Sequence, residues 1–235
     1  MRRGATALLS IGLLALTGSP ASAQFDQLFR RPASGLSDTK IGDGLKQALQ
    51  VGTEKAVSLT GKTDGYFANA AIKILMPERL HMVEQGLRAV GQGAQIDDFV
   101  LSMNRAAERA APGAKKIFWD AIGAMSFEDA RRILQGPGNA ATSYFKDKTT
   151  DQLTSAFTPV VSSAMSEVGV TRHYKELVGT AQSLPFVNVS AFDLDHYVVG
   201  KALDGLFHVV GEEEQKIRAN PTARITPLLK EVFAR

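Results

Sequence analysis

Two groups of polar residues on predicted helices are the candidates for chemistry in this 235-residue sequence. The first is Asn104 and Glu108 in the segment MNRAAER, at the edge of an apolar helical stripe. Residues four apart lie on the same face of a helix, and the alanines beside them allow a second helix to approach closely. An amide and a carboxylate at that edge are suited to line a pocket, but we favour a hydrogen bond to a neighbouring helix.

The second group lies on one face of the last long predicted helix. At about 100° per residue its members fall within an arc of roughly 80°; they are Tyr197, Lys201, Asp204, His208 and Glu212. Such a ladder beside a broad apolar face is a solvated edge, a polar seam between helices or one wall of a binding cleft, and we favour these in that order. The acidic run 212–214 has basic residues one turn later, which predicts a solvated helix surface.

The common catalytic and metal-binding motifs are missing from the sequence. It contains no cysteine, which excludes thiolate catalysis, disulfides and cysteine-ligated metals. There is no G-x-S-x-G or H-E-x-x-H motif, and His196 and His208 lie about 120° apart around one helix. The phosphate-loop-like pattern ending in GKT follows a predicted helix rather than a strand, so we interpret Gly61 as a helix end. We therefore assign no catalytic residue, no metal and no cofactor.

The elements that position these residues are nearly all predicted to be helices. Apolar periodicity and breakers predict an all-α, single-domain bundle of about nine or ten helices, at 37–60, 66–74, 77–90, 96–110, from 112, 127–135, 150–168, 171–183, 194–219 and from 226. Ser126 and Asp193 are the expected caps of two helices, and Thr149 with Gln152 is expected to open another. Pro159 predicts a kink or a split, and residues 186–192 an extended loop rather than a strand.

The amino terminus has the pattern of a secretory signal peptide at residues 1–23. Arg2 and Arg3 precede an apolar run and an Ala-Ser-Ala cleavage site at 21–23. The run is shorter than the roughly 20 residues that a membrane span needs, and without cysteine no lipid can be attached there. Cleavage would leave a leader at 24–36 and a single domain at 37–235, so we expect a soluble, exported protein without a membrane span.

Charge argues against one class of partner. Removal of Arg2 and Arg3 lowers the formal net charge from +3 to +1. A nearly neutral chain lacks the basic surface that binding to nucleic acid requires, so we expect no nucleic-acid partner.

Several segments resemble a family known only as a domain of unknown function. They are MNRAAE at 103–108, FEDARRIL at 127–134, NAATSYF at 139–145, TTDQL at 149–153 and a long block from FDLDHYVVGKALDGLF at 192–207 to LLKEVF at 228–233. The resemblance spans about residues 36–233. It implies a single helical domain in the periplasm of Gram-negative bacteria and assigns no catalytic residue.

We therefore predict a non-enzymatic periplasmic protein that binds a protein partner or an apolar small molecule. Its groove would be lined by the alanines near Met103 or by the helix at 194–210. One alternative is a cofactor-independent hydrolase that uses Glu108, Asp204, His208 or Glu212 as acid or base. Another is an envelope chaperone or assembly factor with exposed apolar grooves. A cavity shared by Asn104, Glu108 and the ladder would favour the hydrolase.

Overall fold

The computed structural model describes residues 38–167 and 193–219, which are mostly helical and contain no strand. The helices are α1 (Asp38–Gly61), α2 (His81–Ala89), α3 (Gly93–Ala110), α4 (Ala114–Gly123), α5 (Phe127–Gln135), α6 (Ala140–Glu167) and α7 (Leu194–Ala219). Single-turn 3-10 helices at Glu78–Leu80 and Ala111–Gly113 precede α2 and α4. The predicted all-α class is confirmed, whereas the described residues do not support a count of nine or ten helices.

Several predictions fall outside the described residues. These are the signal peptide and leader, the helix at 171–183, the extended loop at 186–192 and the last short helix from 226.

The long helices enclose an aromatic core. Helix α7 packs against α6 and α1, α3 packs against α6, and α4 packs against α1 and α6. The ring of Phe118 on α4 meets the rings of Phe145 on α6 and Phe207 on α7 edge to face, at centroid distances of 5.1 and 6.2 Å. These rings bury large apolar areas in a favourable geometry, which ties three helices together behind the surface described below.

Two predicted helix caps are confirmed, and one glycine has a packing role. Ser126 Oγ accepts from the Asp129 amide at 3.1 Å, and Asp129 Oδ2 accepts from the Ser126 amide at 3.1 Å, which makes a capping box. Asp193 Oδ1 accepts from the His196 amide at 2.9 Å. Helix α1 ends at Gly61, where a β-carbon would lie 3.1 Å from the Pro112 ring. A small residue is needed there for close packing.

Two predicted elements are wrong. Residues 66–74 form turns and irregular backbone instead of a short helix, and side chains from α3 bind the backbone amides of Tyr66, Phe67 and Ile74. Helix α6 begins at Ala140 rather than near residue 150 and continues past Pro159 without a split. Thr149 is buried in its middle and donates to the Phe145 carbonyl at 2.6 Å, so it does not cap a helix.

Candidate functional site

An irregular segment, residues 62–77, joins α1 to α2, and Asn104 of α3 fixes its far end. Asn104 is fully buried. Its Oδ1 accepts from the Ile74 amide at 2.8 Å, and its Nδ2 donates to the Ile74 carbonyl at 2.8 Å and to the Val100 carbonyl at 2.7 Å. The side chain therefore satisfies both backbone groups of Ile74, as a neighbouring strand would.

Glu108, one turn along α3, holds the near end of the same segment. The residue is 4% exposed, and its Oε1 accepts from the amides of Tyr66 at 3.1 Å and Phe67 at 3.2 Å. Its Oε2 accepts from Arg105 at 2.6 Å, and Arg105 also donates to Asp64 at 2.7 Å. Hydrogen bonds to Glu108 and Asp64 raise the pKa of Arg105. The prediction of a hydrogen bond to a neighbouring helix is therefore wrong about the partner, because Asn104 and Glu108 bind the irregular segment instead.

Tyr66 links this segment to α7. Its hydroxyl donates to the Ala202 carbonyl at 2.6 Å. Burial raises the pKa of Tyr66 well above its ordinary value, and the nearby Glu108 carboxylate raises it further. The ring lies against Gly205, where a β-carbon would stand 2.6 Å from Tyr66 Cε1 and 3.1 Å from Ile72 Cβ. Glycine is required at 205 because the segment passes directly over the helix.

The segment and α7 form the two walls of a groove of about 790 Å³. We call it the α7 groove. Its first wall is residues 71–79 with His81, and its second wall is one face of α7. The charged and polar side chains that line it are Lys73, Glu78, Arg79, His81, Tyr197, Lys201, Asp204 and His208.

Four of the five predicted ladder residues line the α7 groove: Tyr197, Lys201, Asp204 and His208. The Tyr197 hydroxyl donates to the Leu75 carbonyl at 3.0 Å, which joins the two walls. Burial and the Glu78 carboxylate raise the pKa of Tyr197. Glu212 lies beyond the groove, beside a recess of about 400 Å³, and its carboxylate is 3.3 Å from His208 Nε2. The ladder is an exposed face of α7 that forms one wall of a cleft.

Asn104 and Glu108 do not line the groove. Both are occupied by the backbone of residues 66–74, behind the wall that the segment presents to solvent. The two groups of candidate residues therefore do not face one shared cavity. They meet through the segment, which α3 holds from one side and α7 from the other.

The prediction of a solvated surface at 212–214 is wrong for two of its residues. Glu213 and Glu214 are buried. The Glu214 carboxylate accepts from the amides of Ala141 at 3.0 Å and Thr142 at 2.8 Å, and from Arg218. The first amides of a helix have no partner within it, so α7 supplies the acceptor that α6 lacks. The basic residues one turn after the acidic run pair with its two buried members: Arg218 with Glu214, as their spacing predicts, and Lys216 with Glu213 rather than with Glu212.

The groove's first wall was not predicted from the sequence pattern. Residues 66–74 were predicted to be a helix, which would have turned these side chains differently. The available signal was Pro77, because the residue before a proline is driven toward extended backbone. Lys73, Leu75, Arg79 and His81 line the groove and were not among the predicted site residues.

The described ranges contain neither a metal-binding cluster nor a helix that could span a membrane. Residues 38–167 and 193–219 contain no group of three or more histidine or acidic side chains placed to hold a metal ion. In the same ranges no helix combines the length and the apolar character needed to cross a bilayer.

The comparisons with known proteins give a family and no relative of known activity. The family model described as "Protein of unknown function (DUF4197)" matches residues 35–234. No curated protein and no solved structure matches the chain. The resemblance seen in the sequence is confirmed to this extent, and the site's own geometry has to carry the argument about function.

Proposed function

We propose that this chain, which belongs to the DUF4197 family, is a non-enzymatic binding protein. Its groove receives a segment of a protein partner. The observation that carries the proposal is the way the groove's irregular wall is held. Asn104, Glu108 and Tyr66, all buried, bind its backbone or tie it to α7. The wall is therefore fixed before any ligand arrives.

A fixed wall favours binding because ordering a loop during association costs free energy. The backbone groups of Tyr66, Phe67 and Ile74 lack a regular helix or sheet in which to pair. Buried amides left unpaired are costly, so the two α3 side chains stabilise a conformation that the segment would not keep alone. We infer that this conformation is retained for the surface it presents.

The shape and lining of the groove favour a protein segment over an apolar small molecule. Small-molecule sites enclose most of their ligand and are largely apolar. The α7 groove is open to solvent, and exposed charged residues stand on both walls. Leu75, 58% exposed within the groove, adds one apolar anchor.

The same geometry lends no support to the hydrolase alternative. Glu108 is engaged with two backbone amides and an arginine. His208 and Glu212 contact each other while both are nearly half exposed. General acid–base catalysis needs its groups to converge on one site, whereas Glu108 lies behind the wall of the groove that Asp204 and His208 line. The chaperone alternative predicts an exposed apolar groove. The exposed large apolar residues are instead spread over the segment and several helices, with Trp119 on α4 and Phe127 on α5.

We also propose that the protein is exported and acts in the periplasm of a Gram-negative bacterium. The support is the pattern of Arg2, Arg3, the apolar run and the Ala-Ser-Ala site in residues 1–23. The absence of cysteine agrees with a chain that needs no disulfide in an oxidising compartment.

Site-specific cross-linking tests the proposal. A photoreactive phenylalanine analogue replaces Leu75 in the groove or, as the control, Trp119, which is 41% exposed on α4. In cells of the native host we expect a discrete cross-linked partner from position 75 and not from position 119. The partner is then purified, and its affinity is measured by titration calorimetry.

The affinity measurement makes the test specific to the groove. We expect Leu75→Asp to weaken binding of the purified partner at least tenfold, since it places a charge on the apolar anchor, and Trp119→Asp to leave the affinity unchanged. Equal affinities for wild type and Leu75→Asp, or no cross-linked partner at position 75, would overturn the proposal.

A further inference from the structure

Within the part of the chain that the structure describes, the lysines, arginines and acids that line the α7 groove have no salt-bridge partner, unlike several arginines elsewhere. Within the described ranges, Arg88, Arg105 and Arg109 each contact a carboxylate. Among the groove's Lys73, Glu78, Arg79, Lys201 and Asp204, no salt bridge within 4.0 Å occurs in those ranges. Lys201 and Asp204 are one turn apart on α7 and still do not pair.

The charges of the groove are not balanced. Three cations, Lys73, Arg79 and Lys201, face two carboxylates, Glu78 and Asp204. His81 and His208 also line it, and His208 Nε2 lies 3.3 Å from the Glu212 carboxylate beside the groove. Lys73 Nζ lies 4.0 Å above the Phe67 ring and Lys201 Nζ lies 5.9 Å from the Tyr197 ring, contacts that steady both ammonium groups without neutralising them.

The α7 wall also sets the length of the occupant. From Tyr197 to His208 the helix rises about 16 Å at about 1.5 Å per residue. An extended chain covers that distance with about five residues at roughly 3.3 Å each. Leu75, exposed between the cations of the first wall, suits an apolar side chain beside the charged ones.

We propose that the α7 groove recognises an acidic segment of its protein partner, about five residues long, in which carboxylates alternate with apolar side chains. Arg79 on one wall and Lys201 on the other meet the carboxylates, and Leu75 meets an apolar residue. This inference rests on the proposed function and adds the chemistry of the partner. Because the cations are exposed, the attraction is screened by salt and acts on selectivity and association rate more than on total affinity.

Peptide binding tests the inference directly. Fluorescein-labelled Gly-Leu-Glu-Leu-Glu-Leu-Gly is titrated with the full chain by fluorescence anisotropy, alongside the same peptide with Gln or Lys in place of Glu. We expect the Glu peptide to bind about threefold or more tighter than the Gln peptide, and the Lys peptide to bind most weakly. Raising the salt concentration is expected to reduce the difference between the Glu and Gln peptides.

Charge reversals assign the effect to the groove. Arg79→Glu and Lys201→Glu are each expected to weaken the Glu peptide about three- to tenfold, and Asp204→Lys is expected to strengthen it. Lys116→Glu is the matched control, since Lys116 is an 84% exposed lysine on α4, paired with Asp120 outside the groove. It is expected to have no effect. All four sites are exposed, so the variants keep their fold.

Several results would overturn the inference. One is equal binding of the Glu and Gln peptides, or tighter binding of the Lys peptide, and another is no binding by any peptide. Binding to phosphatidylglycerol vesicles that the same reversals abolish, without peptide binding, would assign the cations to lipid. None of these results changes the cross-linking outcome at Leu75, so failure of the acidic preference is distinguishable from failure of the proposed function.

Discussion

Single buried polar side chains complete the backbone hydrogen bonding of other elements. Asn104 accepts from the backbone amide of Ile74, and Glu108 accepts from the amides of Tyr66 and Phe67. Glu214 accepts from an amide in the first turn of α6. Every buried side-chain nitrogen and oxygen within the described ranges has a partner. Burying a carboxylate or amide is costly unless its hydrogen bonds are made, so each of these residues stabilises the fold only together with the backbone it binds.

Replacing Asn104 by alanine should therefore be strongly destabilising. The variant leaves the amide and carbonyl of Ile74 buried and unpaired, at about 1–3 kcal/mol for each unsatisfied group. We expect the free energy of unfolding in urea to fall by about 2–4 kcal/mol. Asn69→Ala is the control, because the bond that Asn69 makes to the Ala71 amide is exposed; a loss below about 1 kcal/mol is expected there. Similar losses in both variants would contradict the role of Asn104.

Tyr66 should make the protein sensitive to alkali. Its pKa is raised in the folded state from the ordinary 10.0, chiefly by burial. The unfolded chain therefore loses this proton first, and stability that is intact below pH 10 falls as the pH rises above that value. At pH 8 we expect the free energy of unfolding of Tyr66→Phe to be about 1 kcal/mol lower than that of wild type, because the variant lacks the bond to the Ala202 carbonyl.

The same variant should then lose less stability than wild type between pH 8 and pH 11, measured by urea unfolding at each pH. Tyr144 and Tyr197 also have raised pKa values, so some alkaline sensitivity remains in the variant. Parallel pH profiles for wild type and Tyr66→Phe would show that Tyr66 does not carry the effect.

At the scale of elements, two helices, α3 and α7, set the position of the irregular segment. It lies between α3, which binds its backbone, and α7, which it approaches at Gly205. The two hydrogen bonds of Tyr197 and Tyr66 to backbone carbonyls join the segment to α7 at separate points. The position of the groove's first wall therefore depends on both helices.

Gly205→Ala tests this close crossing. A β-carbon at 205 would lie 2.6 Å from the Tyr66 ring, whereas nothing lies within 4 Å of one at Gly200 on the same helix. Overpacking of this kind costs about 1–3 kcal/mol, but alanine at an open helical position stabilises by about 0.5–1 kcal/mol. We therefore expect thermal unfolding to shift down for Gly205→Ala and up for Gly200→Ala. Equal shifts in one direction would contradict the crossing.

The all-α class and one wall of the groove were predictable from the sequence, and the other wall was not. Spacing of three and four residues placed Tyr197, Lys201, Asp204 and His208 on one face of a helix, and they lie on one face. The segment opposite is shaped by contacts that are distant along the chain, such as the bond from Tyr66 to Ala202, 136 residues away. Local patterns do not contain such contacts. The burial of Glu214 was missed for the same reason, since its partners lie 72 and 73 residues before it.

At the scale of the whole molecule, a helical domain carries the α7 groove, and residues 1–23 have the pattern of an export signal. The core behind the groove is tied together by the rings of Phe118, Phe145 and Phe207. We expect this core to hold α7 in place when a partner binds, so that recognition takes place on a preformed surface.

Export makes a prediction of its own. Expressed in a Gram-negative host with its full sequence, the protein should be recovered from the periplasmic fraction with Gln24 as its first residue, because cleavage follows the Ala-Ser-Ala site. Intact-mass spectrometry of the purified chain measures this. Replacing Ala21 and Ala23 by bulky residues should block processing and retain residues 1–23. A cytoplasmic chain that begins at Met1 in wild type would contradict the assignment.

Hydrogen exchange of the protein with its purified partner shows whether the α7 groove is the surface at which the partner binds. The amides of residues 71–81 and 197–208 are the two walls of the α7 groove, and mass spectrometry follows their exchange with and without the partner. We expect slower exchange in both stretches on binding and no change across α4 and α5. Protection confined to α4 and α5, or none in the two walls, would contradict it.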